Sequence, residues 1–415
     1  MNATLQVLLQ LVVILVAARL CGALLIRFGQ PPVIGEMLAG LLLGPIAFGA
    51  WWPELHAELF AKSTLPVLSG LATLGVSLFM FIVGADLRAP EGNRAQVRSA
   101  FTVGSLGMLV PMSLGLAVAP ILHARFAPAG IGFWPFALFV AATMSVTAFP
   151  VLARILRDRN LTRSLPGRLA LGAAMIDDVC VWILLALVLA MTGRSGGGAL
   201  LAIGGGAALV AVVLFAVKPL LVRMLPPLGP TDELPLPAFA WIMIGVLACA
   251  GFAEWIGLHA IFGAFLFGVA LPRDDRLLQS LGRRIEPVAI VLLMPVMFAL
   301  AGQNATPEVF AGAGFGAFAL VLAVAVLGKI AGCALGARLG GHGWRDSLAV
   351  GSLMNARGLM ELVVIKIGLE AGLIGPELFT LLFGMTLVTT LMASPLLSFF
   401  HARRDAVAAD TGRTA

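Results

Sequence analysis

Leu169-Ala-Leu-Gly-Ala-Ala-Met-Ile-Asp177-Asp178-Val-Cys-Val-Trp-Ile-Leu-Leu-Ala186 sets two adjacent carboxylates in the middle of an apolar run. With its flanks the run is long enough to cross a bilayer, which takes about 20 apolar residues. A carboxylate at that depth costs about 2.5–3.5 kcal/mol on insertion scales. Two side by side require a partner or a function, and the first hypothesis for such a site is an ion or proton pathway.

The rest of the chain has the same character. Hydrophobic residues make up 60% and charged residues 12%, against about 25% charged in soluble domains, so this is a membrane protein throughout. The net charge of +6 would point to nucleic acid in a soluble protein. Here retention of Lys and Arg on the cytoplasmic side is a sufficient cause. Cys21, Cys180, Cys249 and Cys333 lie in apolar segments and read as small core residues, without disulfide or metal-ligand spacing. The N-terminal apolar run is too long for a cleavable signal and reads as the first span. Abundant Ala, Gly and Arg suggest a bacterium with a GC-rich genome.

Apolar segments fall near 3–26, 32–47, 64–85, 99–122, 134–155, 166–191, 198–221, 236–256, 257–271, 286–303, 308–337, 346–367 and 376–400. The expected fold is an all-α membrane protein of about 13 transmembrane helices; the division near Gly257 is the least distinct. With the N-terminus outside, the inside loops hold Arg27, Arg88, Arg94, Arg98, Arg154, Arg157, Arg159, Arg163, Arg168, Lys218, Arg223, Arg273, Arg276, Arg283, Arg284, Arg338, Arg345, Arg403, Arg404 and Arg413. The outside loops hold only Lys62, Arg125, Arg194 and Lys366. Twenty against four puts the C-terminus in the cytoplasm. Arg19, Lys329 and Arg357 remain, inside spans.

Two spans are interrupted. Ser145 and Thr147 precede Pro150, which removes a backbone donor and clashes with the preceding turn. Near the other end, Gly351-Ser-Leu-Met-Asn355-Ala-Arg357-Gly358-Leu-Met-Glu361 is equally polar and broken. Paired interrupted spans in corresponding positions point to a transporter site. They suit inverted five-helix repeats with two crossed discontinuous helices. Their half-helix ends would set opposing partial charges at mid-membrane beside the aspartates.

Adjacent helical residues point about 100° apart, so Asp177 and Asp178 cannot both face one cavity. Lys329 is the lysine well inside a span, and Gly328 before it permits close helix approach. A Lys–Asp pair offsets much of the burial cost of each. The remaining carboxylate can alternate between a proton and a cation, and that alternation suffices for antiport. The plainer readings stand beside this one. The two aspartates can be a buried structural pair. Lys329 can be a clamp alone. Arg357 and Glu361 stand at i, i+4 and read first as a helix-face ion pair. Glu36 follows Pro31-Pro32 near a helix start, where a carboxylate suits the dipole. Ser145 and Thr147 can simply cap the broken turn. Asp86 reads as a membrane-edge residue, and Arg19 as one that snorkels to the cytoplasmic face. Glu254 and His259 read as interfacial, and His123, His342 and His401 as loop residues.

Six stretches in order carry a resemblance: Gln30-Pro-Pro-Val-Ile-Gly-Glu36-Met-Leu-Ala-Gly-Leu-Leu-Leu-Gly-Pro45, Thr147-Ala-Phe-Pro-Val-Leu-Ala-Arg154-Ile-Leu, Ile176-Asp177-Asp178-Val, Gly263-Ala-Phe-Leu-Phe-Gly268, Gly328-Lys329-Ile and Asn355-Ala-Arg-Gly-Leu-Met-Glu361-Leu. The chain resembles the Kef-type branch of the monovalent cation:proton antiporters over nearly all its length. The resemblance implies that Asp178 binds the ion or proton, that Thr147 and nearby carbonyls assist, and that Asp177 pairs with Lys329. Ser145, and secondarily Asn355, Arg357, Glu361 and Glu36, complete the expected site. It also implies a homodimer in which a scaffold (about 3–85 and 236–303) holds still while a core (about 99–191 and 308–400) moves.

The expected organisation is one antiporter domain, 1–405, with a short cytoplasmic tail, 406–415, in a bacterial inner membrane. No cofactor and no nucleic-acid partner are expected. Many Kef proteins carry a C-terminal nucleotide-binding domain; this sequence ends soon after the last span, so gating by such a domain in cis is not expected here. Channel-like Kef members often lack the double aspartate, which leaves Na+ and K+ both open. An efflux channel and an intramembrane enzyme are the competing readings. The chain shows no filter-like repeat, no third spaced aspartate, no His-Glu-x-x-His run and no Tyr.

Overall fold

A computed structural model describes residues 2–86, 94–159, 161–162, 164–191, 198–225, 234–310 and 314–401. The tail 406–415 lies outside them, as do Arg88, Arg163, Arg194, Arg403, Arg404 and Arg413. All regular structure among the described residues is helical.

Each apolar segment forms a helix. α1 is Ala3–Arg27, α2 Pro32–Leu43, α3 Leu65–Asp86 and α4 Arg94–Phe126. α5 is split into α5a, Phe133–Ser145, and α5b, Phe149–Asp158. α6 is Leu165–Met191. α7 runs from Gly198–Val212 through a π turn at Val213–Val217 into Lys218–Met224. α8 is Leu236–Trp255 and α9 Ala260–Val269. α10 covers Asp275–Gln303 with a π turn at Pro287–Leu293. α11 is Gly314–Leu339; α12 is split into α12a, Trp344–Met354, and α12b, Leu359–Glu370; α13 is Pro376–His401.

With α2 continued to Trp51 and α5 taken as one span, eleven of these helices are long and apolar enough to cross a membrane, and the bent α12 pair, turned by 47°, makes a twelfth. The segment expected at 257–271 is α9, with 10 residues. At 1.5 Å per residue it is about 15 Å long, half a hydrocarbon core of about 30 Å. Residues 254–260 explain its separation from α8. Glu254 Oε2 accepts the Ala260 N–H at 2.8 Å, and His259 Nδ1 accepts the Ile261 N–H at 3.5 Å, so both side chains cap the new helix start.

α10 begins eleven residues before the expected 286. Its first part, Asp275–Glu286, is amphipathic and charged, which hides it from a search for apolar runs. Asp274 Oδ1 caps it, accepting from Arg276 N at 2.9 Å and Leu277 N at 3.4 Å. Two histidines are further corrections: His123 belongs to α4 and not to a loop, its ring edge-on to Phe133 and Phe136, and His401 is the last residue of the final helix, Pro376–His401.

The chain forms two compact units. One comprises Met1–Leu20, Glu36–Leu87 and Ala186–Ala305; the other comprises Cys21–Gly35, Arg88–Leu185 and Thr306–Ala415. In the first, Arg19 and Glu36 approach to 3.9 Å, and Arg19 Nη2 donates to the Val291 carbonyl at 3.3 Å. Val291 lies in the π turn of α10, where the regular i→i−4 ladder is disturbed. Arg19, with 49% of its side chain exposed, therefore has both an acidic and a carbonyl partner within its own unit.

The second unit holds two helix triplets, α4–α5–α6 and α11–α12–α13, each with its broken helix in the middle. A stripe of small residues joins them. Gly336 faces Thr102 and Val103, Gly332 faces Leu106, and Gly328 faces Pro111. Rising numbers on α4 meet falling numbers on α11, so the leading helices run antiparallel, as an inverted repeat requires. Small residues in that register let two backbones approach closely.

A Cβ at Gly332 would collide with the Leu106 carbonyl and press on Val110. Gly332→Leu should therefore lower stability by about 1–3 kcal/mol, the usual cost of overpacking. Thermal unfolding in detergent measures it, and an unchanged midpoint would refute this helix contact.

Candidate functional site

The site is built on the two breaks in the second unit. After α5a the chain leaves helical space, with Val146 at φ −63°, ψ 138° and Ala148 at φ −89°, ψ 96°. Pro150 then falls in the first turn of α5b, where a missing N–H costs nothing. The α12 break ends at Gly358 with φ 142°, ψ −124°, a conformation that a side chain disfavours. The breaks satisfy one another. Ala148 N donates to the Ala356 carbonyl at 3.1 Å, and Thr147 Oγ1 lies 2.9 Å from the Met354 carbonyl.

A helix C-terminus leaves its last four carbonyls without intrahelical donors. At membrane depth no water is present to bond them. In α5a all four are accounted for. The Ala142 carbonyl accepts from Ser145 Oγ at 2.7 Å. The Thr143 and Met144 carbonyls accept from Arg357 Nη1 and Nη2 at 2.8 and 2.6 Å. The Ser145 carbonyl accepts from Lys329 Nζ at 2.5 Å. Two cations thus face the partial negative end of one half-helix.

Each cation also has an anion. Lys329 Nζ donates to Asp177 Oδ2 at 2.6 Å, and Thr147 Oγ1 lies 3.1 Å from the same oxygen. Thr147 has a single hydroxyl proton, so it serves Asp177 or Met354 at any moment. Arg357 Nη1 lies 3.2 Å from both Glu361 oxygens. Glu361 sits in the first turn of α12b, where the helix dipole favours a carboxylate. Lys329, Asp177, Arg357 and Glu361 are all essentially shielded from solvent.

Asp178 differs. It is 2% exposed, and its Oδ2 has no hydrogen-bond partner among the described residues. Asp177 Oδ1 and Asn355 Oδ1 are likewise buried without a partner. The two paired cations and two paired anions cancel, leaving Asp178 as a third acid with no matching base. Burying an uncompensated carboxylate is costly, and a proton or a bound cation removes that cost. Asp178 Oδ2 is the acid oxygen left open to a cation, and Asp177 Oδ1 is a second open acceptor on the neighbouring residue.

The structure therefore brings together Ser145, Thr147, Asp177, Lys329, Arg357 and Glu361, with Asn355 in the same break. Asp178 follows Asp177 on α6. Ser145 contributes its carbonyl to the cation cluster, while its hydroxyl turns back on its own helix. Glu36 belongs to the other unit, where it pairs with Arg19. The reach of Arg357 across to α5a was missing from the sequence reading. An arginine beside a glycine in a break was its signal, since such a residue has helix ends within reach.

The chain is similar to known proteins along most of its length. Residues 13–402 match the family described as sodium/hydrogen exchanger, transmembrane. The Na(+)/H(+) antiporter NhaS4 of Synechocystis sp. is 35% identical over 408 residues, which cover 95% of this chain and 97% of that protein. K(+)/H(+) antiporter 1 of Saccharomyces cerevisiae is 33% identical over 390 residues, covering 91% of this chain but 44% of that protein. The sodium proton antiporter MjNhaP1 of Methanocaldococcus jannaschii superposes with a TM-score of 0.67, covering 95% of this chain and 98% of that one. At 15% identity this last match shows a shared fold alone.

Lys329→Ala should strand both Asp177 and the Ser145 carbonyl. Breaking a buried pair by removing one partner costs about 3–5 kcal/mol, so the melting midpoint should fall by several degrees. A variant that melts with the native protein would show that the pair does not hold these helices.

Proposed function

The chain belongs to the sodium/hydrogen exchanger family, and from that premise we propose that it exchanges a monovalent cation, Na+ or K+, for protons by alternating access. The two ions compete for Asp178. The single observation that carries this reading is the charge balance of the interior. Lys329 with Asp177 and Arg357 with Glu361 form closed pairs, and Asp178 stands outside them with a buried, unpartnered oxygen. A carboxylate so placed must cross the membrane neutralised. A proton and an alkali cation are alternative ways to do it, and a carrier that crosses only when loaded couples the two fluxes.

Asp177 then acts as the fixed counter-ion of Lys329, and Thr147 steadies it. Further parts of the proposal follow the family resemblance. The second unit serves as the moving core, and helices of the first as scaffold and dimer contact. The N-terminus lies outside and the C-terminus inside a bacterial inner membrane. The two interrupted helices and the antiparallel leading helices α4 and α11 support this reading, since paired broken helices in inverted repeats accompany alternating access. The relatives are transporters, so the intramembrane-enzyme reading falls away.

Proteoliposomes carrying a trapped pH dye test the proposal. Adding Na+ or K+ should release protons in a saturable way, and Asp178→Asn should abolish the signal while Asp177→Asn reduces stability as well. Retained exchange in Asp178→Asn would refute the assignment. Competition also fixes a sign. While protons still occupy the site, each unit of rising pH should lower the apparent cation KM about tenfold, by linkage, with the maximal rate little changed. A pH effect confined to the maximal rate would mean that proton and cation do not share one site.

A further inference from the structure

Three buried oxygens on α6 and in the α12 break lack a donor: Asp178 Oδ2, Asp177 Oδ1 and Asn355 Oδ1. All three are acceptors, against one buried donor left open in the α12 break, Arg357 Nε, and such an excess in a dry interior is matched by a cation or by ordered water. Asn355 is the least expected of them, because an amide can usually turn to find a donor. Its orientation is fixed by one contact: Nδ2 lies 3.4 Å from the Thr389 carbonyl. A carbonyl only accepts, so the amide nitrogen must face it, and the planar amide presents Oδ1 the other way. Asn355 is wholly buried. Both of its chain neighbours are tied to the α5 break, Met354 through Thr147 and Ala356 through Ala148. The orphan oxygen is thus carried at the crossing of the two breaks, one residue from Met354, whose carbonyl meets the same Thr147 hydroxyl that lies 3.1 Å from Asp177 Oδ2.

We propose that Asn355 Oδ1 is a neutral ligand of the transported cation, and that it discriminates the cation from the proton. The inference rests on the exchange proposed at Asp178. A proton on a carboxylate needs only that carboxylate. A dehydrated alkali ion needs several hard oxygens around it, and one carboxylate supplies at most two. Neutral carbonyl-type oxygens complete such a shell without altering the charge of the loaded carrier. Removing Oδ1 therefore weakens cation loading and leaves proton loading in place.

The test compares Asn355→Leu, which keeps the shape and removes both polar atoms, with Asn355→Asp, which keeps an oxygen towards the site. Each is assayed in proteoliposomes for Na+ and K+ KM, and in detergent for melting with and without each cation. Asn355→Leu should raise the cation KM at least tenfold and remove the cation-induced rise in melting midpoint, with the rate at saturation within about threefold. Asn355→Asp should keep the KM within about threefold of native. Should both variants lose cation affinity equally, or should Asn355→Leu melt early and bind cations normally, the amide acts through Thr389 as a brace and the inference is overturned. Asp178→Asn in the same assay separates the two levels. If it abolishes cation stabilisation while Asn355→Leu retains native KM, only the ligand role of Asn355 fails. If it keeps cation stabilisation, the reading of the site itself fails.

Discussion

The carbonyl end of α5a is the constraint on which this interior depends. A helix that stops at mid-membrane exposes carbonyls where water cannot reach them. This chain meets that demand with the guanidinium of Arg357 and the ammonium of Lys329, and each cation then needs its own anion. Glu361 and Asp177 follow as consequences. One backbone break thus calls in two bases, and the bases call in two acids. Asp178 is the group that this sequence of requirements leaves over.

The first unit meets a smaller version of the same demand. The π turn in α10 disturbs the ladder at Val291, Arg19 supplies a donor, and Glu36 stands near the resulting charge. In both units a charged side chain at span depth stands where backbone regularity fails. Among the described residues, Arg19, Lys329 and Arg357 each bond a backbone carbonyl at an irregular turn.

Much of this was legible in the sequence, and the boundary of legibility has a physical cause. Asp177-Asp178 and Lys329 stand out because acids and bases are conspicuous in apolar runs. Pro150 and Gly358 mark the breaks because their backbone preferences are local. Arg357 with Glu361 could be read as i, i+4 neighbours, yet the arginine's bonds to Thr143 and Met144 could not. Its acceptors are backbone carbonyls, and those carry no residue label. Ser145 was chosen for its hydroxyl and contributes its carbonyl for the same reason. Arg19 and Glu36 were read one at a time because nothing local in sequence announces a π turn. The amphipathic start of α10 escaped because charge at a membrane edge lowers mean hydropathy while leaving the helix intact.

The crossing of the two breaks is stitched at several points: Thr147 to Met354, Ala148 to Ala356, Arg357 to α5a, and Lys329 to both α5a and α6. An assembly fastened in this way has little internal give. Under the exchange proposed here, a change of access carries the crossing as one solid body, and resistance is met at its periphery, among acyl chains. Turnover would then respond to the viscosity and thickness of the surrounding lipid. The chemistry at the carboxylate would set which ion rides, and the membrane would set how often.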